Sequence, residues 1–264
     1  MSVQRQPSLY IPHGGGPCFF MEDPDAVWAG MAAFLRSIPG GLPETPRAIL
    51  IVSGHWETAG IAFTASAKPD LVFDYYGFPP QTYQLRYDAP GAPELAVRAA
   101  SLLQEARIPS GLDPVRGLDH GVFIPLKMAF PDADVPVVEM SMDKGLDPAL
   151  HIAVGRALAP LRDEGVLIVG AGMSFHNMRG YRDARFTVPS EAFDQWLLET
   201  AEAGPEIRDQ RLKAWADAPA ARLSHPREEH LLPLMVAAGA SDAPGQRIYN
   251  EQVMKTMLSG FRFP

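Results

Sequence analysis

The sequence predicts a three-layer α/β/α fold in one domain, residues 1–264, built around a central mixed, mostly parallel sheet. Short apolar runs rich in β-branched residues alternate with longer stretches whose apolar residues recur at helical spacing. Strands that alternate with helices are typical of parallel sheets covered on both faces. No composition break, internal repeat or low-complexity segment divides the chain, so a single domain is expected.

The predicted strands are brief and bounded by Gly, Pro or charged residues, which is typical of buried strands. They are Leu9–Pro12, Ala48–Val52, Val135–Met140 and Val166–Val169. The predicted helices begin or end at recognisable signals, such as the stop at Pro39-Gly40 and the N-cap and first-turn proline at Asp147-Pro148. They are Asp25–Ile38, Pro93–Ala106, Pro148–Ala159, Pro189–Ala203 and Pro226–Ala238.

Composition excludes several classes of protein. A net charge of -8 and a pI of about 5.4 argue against nucleic-acid binding, which needs clustered Lys and Arg. Cys18 is the only cysteine, so no intrachain disulfide can form and a reducing compartment is expected. The first residues lack an apolar signal core, and no run approaches the ~20 apolar residues of a membrane span. We therefore expect a cytoplasmic protein without a membrane partner.

Three of the seven histidines follow predicted strands directly. His13 follows LYIP, His55 follows ILIVSG and His176 follows LIVGAGMSF. Ligands of open α/β sheets bind at the carboxyl ends of the strands, and imidazole is the commonest protein metal ligand. One such histidine would be typical of a hydrogen-bonded loop residue. Three in the same context make a metal site an equal alternative.

The other histidines fall in different contexts. His230 lies at the start of the last predicted helix, and His120 lies in a glycine-flanked loop that leads into an apolar helix. Such a loop can present a side chain to a cavity. His151 is one turn into an amphipathic helix and is predicted to be structural, while His225 is predicted to be a helix cap or a surface residue.

The remaining motifs give weaker evidence of a functional site. The loop Gly14–Gly16 lacks the spacing of a nucleotide loop, and its predicted use is close approach of backbone to a ligand. Neither Ser53 nor Ser174 sits in a G-x-S-x-G elbow, which disfavours a serine hydrolase. Cys18 is predicted to be a buried, inert thiol. The aromatic stretch Phe73–Tyr83 is either core or the wall of a pocket for a flat ring.

Seven short motifs occur in order along nearly the whole chain. They are His13-Gly14-Gly15-Gly16-Pro17, Ser53-Gly54-His55-Trp56, Tyr76-Gly77-Phe78-Pro79, Tyr87-Asp88-Ala89-Pro90-Gly91, Leu118-Asp119-His120-Gly121, Phe175-His176-Asn177 and Glu229-His230-Leu231-Leu232-Pro233-Leu234. As an ordered set they resemble the class III extradiol ring-cleavage dioxygenases, in the branch similar to 4,5-DOPA dioxygenase. The first loop departs from that branch, since it is one glycine longer than the usual His-Gly-Ser-Pro.

The resemblance implies a role for each of the five matched histidines. His13, His55 and His230 would bind one divalent metal, with Fe(II) expected for activity and Zn(II) also suited to an all-histidine set. His176 would be a further ligand or the acid/base, and His120 would hydrogen-bond substrate or dioxygen. The substrates would be a small catechol and O2, and a homo-oligomer is possible.

Two other functions stay open at this stage. A zinc hydrolase would use the same histidines with Glu57 or Glu229 as base, and a non-enzymatic relative would bind a ligand without turnover. Three arginines are unranked candidates for pairing with a carboxylate on the substrate: Arg86, Arg116 and Arg179.

Overall fold

A mixed eight-stranded sheet runs through the protein in the computed structural model, which describes residues 3–264. The strands in this range are β1 (Ser8–Pro12), β2 (Ala48–Thr58), β3 (Ile61–Thr64), β4 (Ser110–Asp113), β5 (Val137–Asp143), β6 (Val166–Gly172), β7 (Gln246–Val253) and β8 (Thr256–Phe263). The α-helices are α1 (Ala29–Ser37), α2 (Pro93–Glu105), α3 (His120–Ala129), α4 (Pro148–Leu158), α5 (Pro160–Asp163), α6 (Thr187–Ala201), α7 (Pro205–Lys213), α8 (Ala221–Ser224) and α9 (Leu232–Gly239).

The strand order is β4-β3-β5-β2-β6-β1-β8-β7. The four central strands β5, β2, β6 and β1 are mutually parallel, and β3 and β4 form a further parallel pair. The pairs β3–β5, β1–β8 and β7–β8 are antiparallel. The predicted mixed, mostly parallel sheet is thus confirmed, and the carboxyl ends of the four central strands meet at one edge.

Helices cover both faces of this sheet. Successive side chains of a strand point to opposite faces, and Leu50 and Val52 of β2 accordingly pack into a core that contains residues of α2, α4, α6 and α9. Ile49 and Ile51 of the same strand pack into a second core with residues of α1 and α3. The three-layer arrangement predicted from the sequence is therefore confirmed.

The predicted elements exist, but several of their boundaries were wrong. Strand β2 continues to Thr58, beyond the predicted end at Val52. The first helix begins at Ala29 rather than Asp25. The reason is that the Asp23 carboxylate accepts hydrogen bonds from the N–H groups of Val27 and Trp28 and holds these residues in a turn. The last predicted helix begins at Leu232 rather than Pro226. Strands β3, β4 and β7 were missed, since they are short or largely polar. Strand β8 was missed because Ser259, Gly260 and Arg262 interrupt its apolar residues.

No helix within residues 3–264 combines the length and the apolar character that crossing a bilayer requires.

A buried arginine ties distant parts of the chain together. Arg162 is fully buried, and its guanidinium donates to the carbonyl oxygens of Gln6 at 2.7 Å and Ala240 at 2.6 Å. A third donation reaches the carbonyl oxygen of Phe263 at 3.3 Å. The side chain thereby joins the start of β1 to the ends of α9 and β8, at the edge of the sheet away from the histidines.

Replacing this arginine tests its structural role. Arg162→Met should lower the free energy of unfolding by about 3 kcal/mol, because three buried carbonyls each lose a donor worth about 1 kcal/mol. Urea unfolding measures the change. Arg5→Met is the matched control, since Arg5 makes an exposed ion pair with Asp163 and should change stability by less than about 1 kcal/mol. Equal, small effects of both substitutions would contradict this role.

Candidate metal centre

Three strands of the sheet bring histidines to the same edge. His13 follows β1 directly, and its backbone N–H donates to the Gly172 carbonyl oxygen at the end of β6. His176 lies four residues beyond β6. His55 was predicted beyond its strand but lies inside β2, in a bulged segment: the β5 partner advances from Met140 to Met142 while β2 advances from Val52 to Glu57. Bulges often aim side chains at active sites.

The bulge lies against the start of α3. A Cβ atom at Gly121 would collide with Ser53 Oγ and contact the His55 ring, so glycine is required for this approach. The Ser53 hydroxyl donates to Asp119 Oδ1 at 2.8 Å. His120 is the first residue of α3 rather than a loop residue, and its ring centroid is 4.0 Å from that of His55.

His230 reaches the same edge from a turn that precedes α9. Its carbonyl oxygen accepts hydrogen bonds from the Tyr10 hydroxyl at 2.8 Å and from the Met173 N–H at 3.1 Å. A Cβ atom at Gly172 would collide with that carbonyl, and one at Gly54 would lie 3.3 Å from the His230 ring. The turn therefore packs directly against the carboxyl-terminal halves of β1, β2 and β6.

The donor atoms of His13, His55 and His230 all lie within 4.8 Å of one another. The Nε2 atoms of His55 and His230 are 3.3 Å apart. Two nitrogens that each lie ~2.1 Å from one metal are roughly 3.0–3.4 Å apart in octahedral or tetrahedral geometry. Both ring nitrogens of His13 are buried and lack a hydrogen-bond partner among the described residues, which a native core rarely tolerates. This donor set fits a metal ion.

Burial keeps these imidazoles neutral, the form that binds metal. Desolvation, followed by repulsion from neighbouring histidines, holds the pKa of His13 well below its ordinary value. Desolvation is also the largest cause of the shift that lowers the pKa of His55 to about 4, followed by the charge of His120. The pKa of His230 is lowered mainly by desolvation as well.

Glu229 lies between two of the imidazoles. Its Oε1 accepts from His230 Nδ1 at 3.2 Å and is 3.5 Å from His176 Nδ1. The two rings stack with centroids 3.4 Å apart. Desolvation by burial would raise the pKa of Glu229, but hydrogen bonds from His176 and His230 hold it well below its ordinary value. A carboxylate that accepts a hydrogen bond from Nδ1 of an imidazole leaves Nε2 of that ring free to bind a ligand.

Asp74 makes the matching arrangement on the other side of the cluster. Its Oδ1 accepts from His120 Nδ1 at 2.7 Å, and its Oδ2 is 3.5 Å from His55 Nδ1. Desolvation opposes its ionisation, but the hydrogen bonds from His120 and the charges of His120 and His55 together outweigh it, and the pKa of Asp74 falls to about 2. Asp74 was not predicted as a site residue, because its only signal in the sequence is a lone carboxylate in the aromatic stretch. The neighbouring Tyr75 ring packs edge-on against His120, so part of that stretch lines the site.

Two further histidines lie outside the cluster. His151 is buried, donates from Nδ1 to the Asp147 carbonyl and accepts the Asp143 N–H at Nε2, which confirms a structural role. His225 ends α8 and donates from Nε2 to the Ser174 carbonyl at 2.9 Å. It is fully buried, so the surface alternative is wrong, and it caps the end of α8 rather than the start of the helix predicted from Pro226.

The glycine loop after His13 packs against aromatic and sulfur atoms. Gly14 and Gly16 have positive φ, and a Cβ atom at Gly16 would lie within 3 Å of the Phe78 ring. Cys18 is buried beside this loop, and desolvation raises the pKa of its thiol to about 12. The predicted burial of this thiol is therefore confirmed, and its raised pKa is in line with the predicted lack of reactivity.

Comparisons with known proteins agree with this geometry. A family model described as the catalytic LigB subunit of aromatic ring-opening dioxygenase matches residues 8–261. The chain is 43% identical over 237 residues to 4,5-DOPA dioxygenase extradiol of Beta vulgaris, covering 89% of this chain and 86% of that protein. It is 36% identical over 248 residues to 4,5-DOPA dioxygenase extradiol of Escherichia coli K12, covering 92% and 88% of the two chains.

A further relative and a solved structure give the same result. Dioxygenase tasH of Hapsidospora irregularis is 38% identical over 260 residues, covering 89% of this chain and 78% of that protein. The crystal structure of the uncharacterized protein JW3007 from Escherichia coli K12 superposes with a TM-score of 0.75 at 30% identity, covering 98% of this chain and 100% of that one. The ordered motifs, the shared fold and these relatives lead to one assignment: the chain belongs to the LigB family of aromatic ring-opening dioxygenases.

Proposed function

We propose that the whole chain acts as one catalytic domain, an extradiol dioxygenase that cleaves the ring of a catechol with O2. His13, His55 and His230 would hold the metal. The observation that carries this assignment is the buried imidazole of His13, which packs against His55 and His230 and whose two nitrogens have no hydrogen-bond partner within residues 3–264. The relatives named for DOPA cleavage support a DOPA-like or related catechol as the substrate.

The bound metal would supply Lewis acidity and a common binding place for the two catechol oxygens and dioxygen. Fe(II) is the metal proposed for activity, because oxygen chemistry needs a redox-active ion. Zn(II) also suits three neutral imidazoles and is the alternative occupant of the same ligands. A cytoplasmic location is retained as a prediction from the single cysteine.

His176 is proposed as the acid/base rather than a fourth ligand. A nitrogen of His176 lies close enough to donor atoms of Glu229 and His230 for the three to hold one ion. The group of donor atoms that contains His13 does not include His176. Glu229 faces its Nδ1, so Nε2 is the nitrogen available to accept the proton of a catechol hydroxyl. About a fifth of the His176 side chain is exposed, which leaves a path for substrate.

His120 is proposed to form a hydrogen bond with the bound substrates through Nε2, since its Nδ1 already donates to Asp74. Asp74 holds its Nδ1 and its backbone N–H, which fixes the ring beside His55 and leaves Nε2 for the ligand. The ring is almost fully buried, so water competes weakly for this hydrogen bond.

The contacts of two glutamates disfavour the hydrolase alternative. Glu57 is held by both terminal nitrogens of Arg227, at 2.6 and 2.7 Å. Glu229 is held between His176 and His230. Arg227 occupies both oxygens of Glu57, and the two imidazoles occupy Oε1 of Glu229, which disfavours either carboxylate as the general base for a metal-bound water. The clustering of all five family-matched histidines supports the dioxygenase instead.

Oxygen uptake tests the proposed reaction. Metal-stripped protein reloaded anaerobically with Fe(II) should consume about one O2 per catechol and form a yellow ring-opened product. A small catechol panel that includes DOPA ranks the substrates. The same preparation loaded with Zn(II) is the control and should consume none, since zinc has no redox chemistry. Absence of uptake with verified iron loading would contradict the proposed function.

Two alanine variants separate the metal ligands from the base. His176→Ala should keep metal affinity within about threefold and lower kcat at least 100-fold, because it removes the proton acceptor. His13→Ala should lower metal affinity more than about 100-fold, because it removes a ligand. Competition with a chelator and steady-state oxygen uptake measure the two effects. A near-wild-type rate in His176→Ala, or metal loss as large as in His13→Ala, would refute the base assignment.

A further inference from the structure

An arginine lies at the rim of the histidine cluster. Arg227 belongs to the turn that carries His230, and its Nη1 is 3.6 Å from Glu229 Oε2. The other oxygen of Glu229 lies against His176 and His230. The guanidinium is thus separated from the two imidazoles by a single carboxylate. With 51% of its side chain exposed, it faces the solvent from which substrate arrives.

Glu57 fixes the position of this guanidinium. The carboxylate lies two residues beyond His55 and accepts one hydrogen bond from each terminal nitrogen of Arg227, at 2.6 and 2.7 Å. This paired geometry is rigid and directional. It occupies both oxygens of Glu57 but only two of the five N–H groups of the guanidinium. The guanidinium therefore keeps N–H donors that Glu57 does not use, and these donors suit an anionic group.

The other arginines near the substrate motifs are less suitable. Arg116 turns inward, with Nη2 3.3 Å from Asp119 Oδ2 and its guanidinium over the Trp56 ring. Arg86 is 80% exposed and pairs with Asp88, two residues along the chain. Arg179 is exposed, and no carboxylate fixes its guanidinium among the described residues.

We propose that Arg227 determines substrate specificity by binding a carboxylate on the side chain of the catechol, with Glu57 as the residue that positions it. This assignment rests on the proposed function for the identity of the ring. It names the substrate class as catechols with an acidic side chain, and it places the acidic end of the substrate over the turn that carries His230.

Binding to the zinc-loaded protein tests this assignment without turnover. Calorimetry compares 3-(3,4-dihydroxyphenyl)propionate with 4-propylcatechol, which has the same ring and chain length but no charge. The wild type should bind the acid about tenfold more tightly, as expected for one partly exposed charged hydrogen-bond pair. Arg227→Met should abolish this preference and leave the affinity for 4-propylcatechol unchanged. Arg227→Lys should restore part of the preference, because it keeps the charge without the planar fork.

Arg179→Met is the matched control, and it should keep the full preference for the acid. Loss of the preference in this variant instead would overturn the assignment of Arg227. Equal weakening of both ligands together with loss of zinc affinity in Arg227→Met would overturn it too, since the ion pair would then only join the segments of His55 and His230. A wild type that shows the preference but takes up no oxygen with Fe(II) would contradict the proposed function alone.

Discussion

Burial of His13, His55 and His230 against one another favours their neutral, metal-binding forms, and this constraint organises the whole site. Desolvation lowers the pKa values of His13, His55 and His230, and adjacent rings lower them further. Asp74 and Glu229 provide the two negative charges, and each is shared between one proposed ligand and one proposed reacting histidine. By holding the Nδ1 atoms, the carboxylates set the tautomers and leave the Nε2 atoms for metal and substrate.

The sheet supplies the positions that this arrangement needs. Parallel β1, β2 and β6 end at one edge, where their following residues converge. The turn of His230 then lies on glycines whose missing Cβ atoms allow its backbone and ring to approach the strands. Far from this edge, Arg162 joins the termini of β1, α9 and β8. The fold thus places the histidine cluster among loops and turns at the opposite end of the strands from the hydrogen bonds of Arg162.

Patterns in the sequence correctly predicted those features of the structure that depend only on residues close together in the chain. The apolar runs of β1 and β6 identified their strands, and the histidine that follows each strand was located correctly because strand ends are local features. Asp74 was missed because its role depends on residues about 20 and 46 positions away. The extension of β2 to Thr58 depends on pairing with β5, and the late start of α9 depends on contacts of the His230 turn with β1 and β6. Such non-local contacts leave no trace in the periodicity of one sequence.

The central claim is that His13, His55 and His230 hold a single metal while both carboxylates only orient them. Anomalous diffraction from crystals of the zinc-loaded protein tests this claim most directly. The account predicts one metal per chain, with one nitrogen of each of these three imidazoles about 2.0–2.1 Å away and no oxygen of Asp74 or Glu229 bound to it. A metal placed between His55, Asp74 and His120, or bound through Glu229, would contradict it.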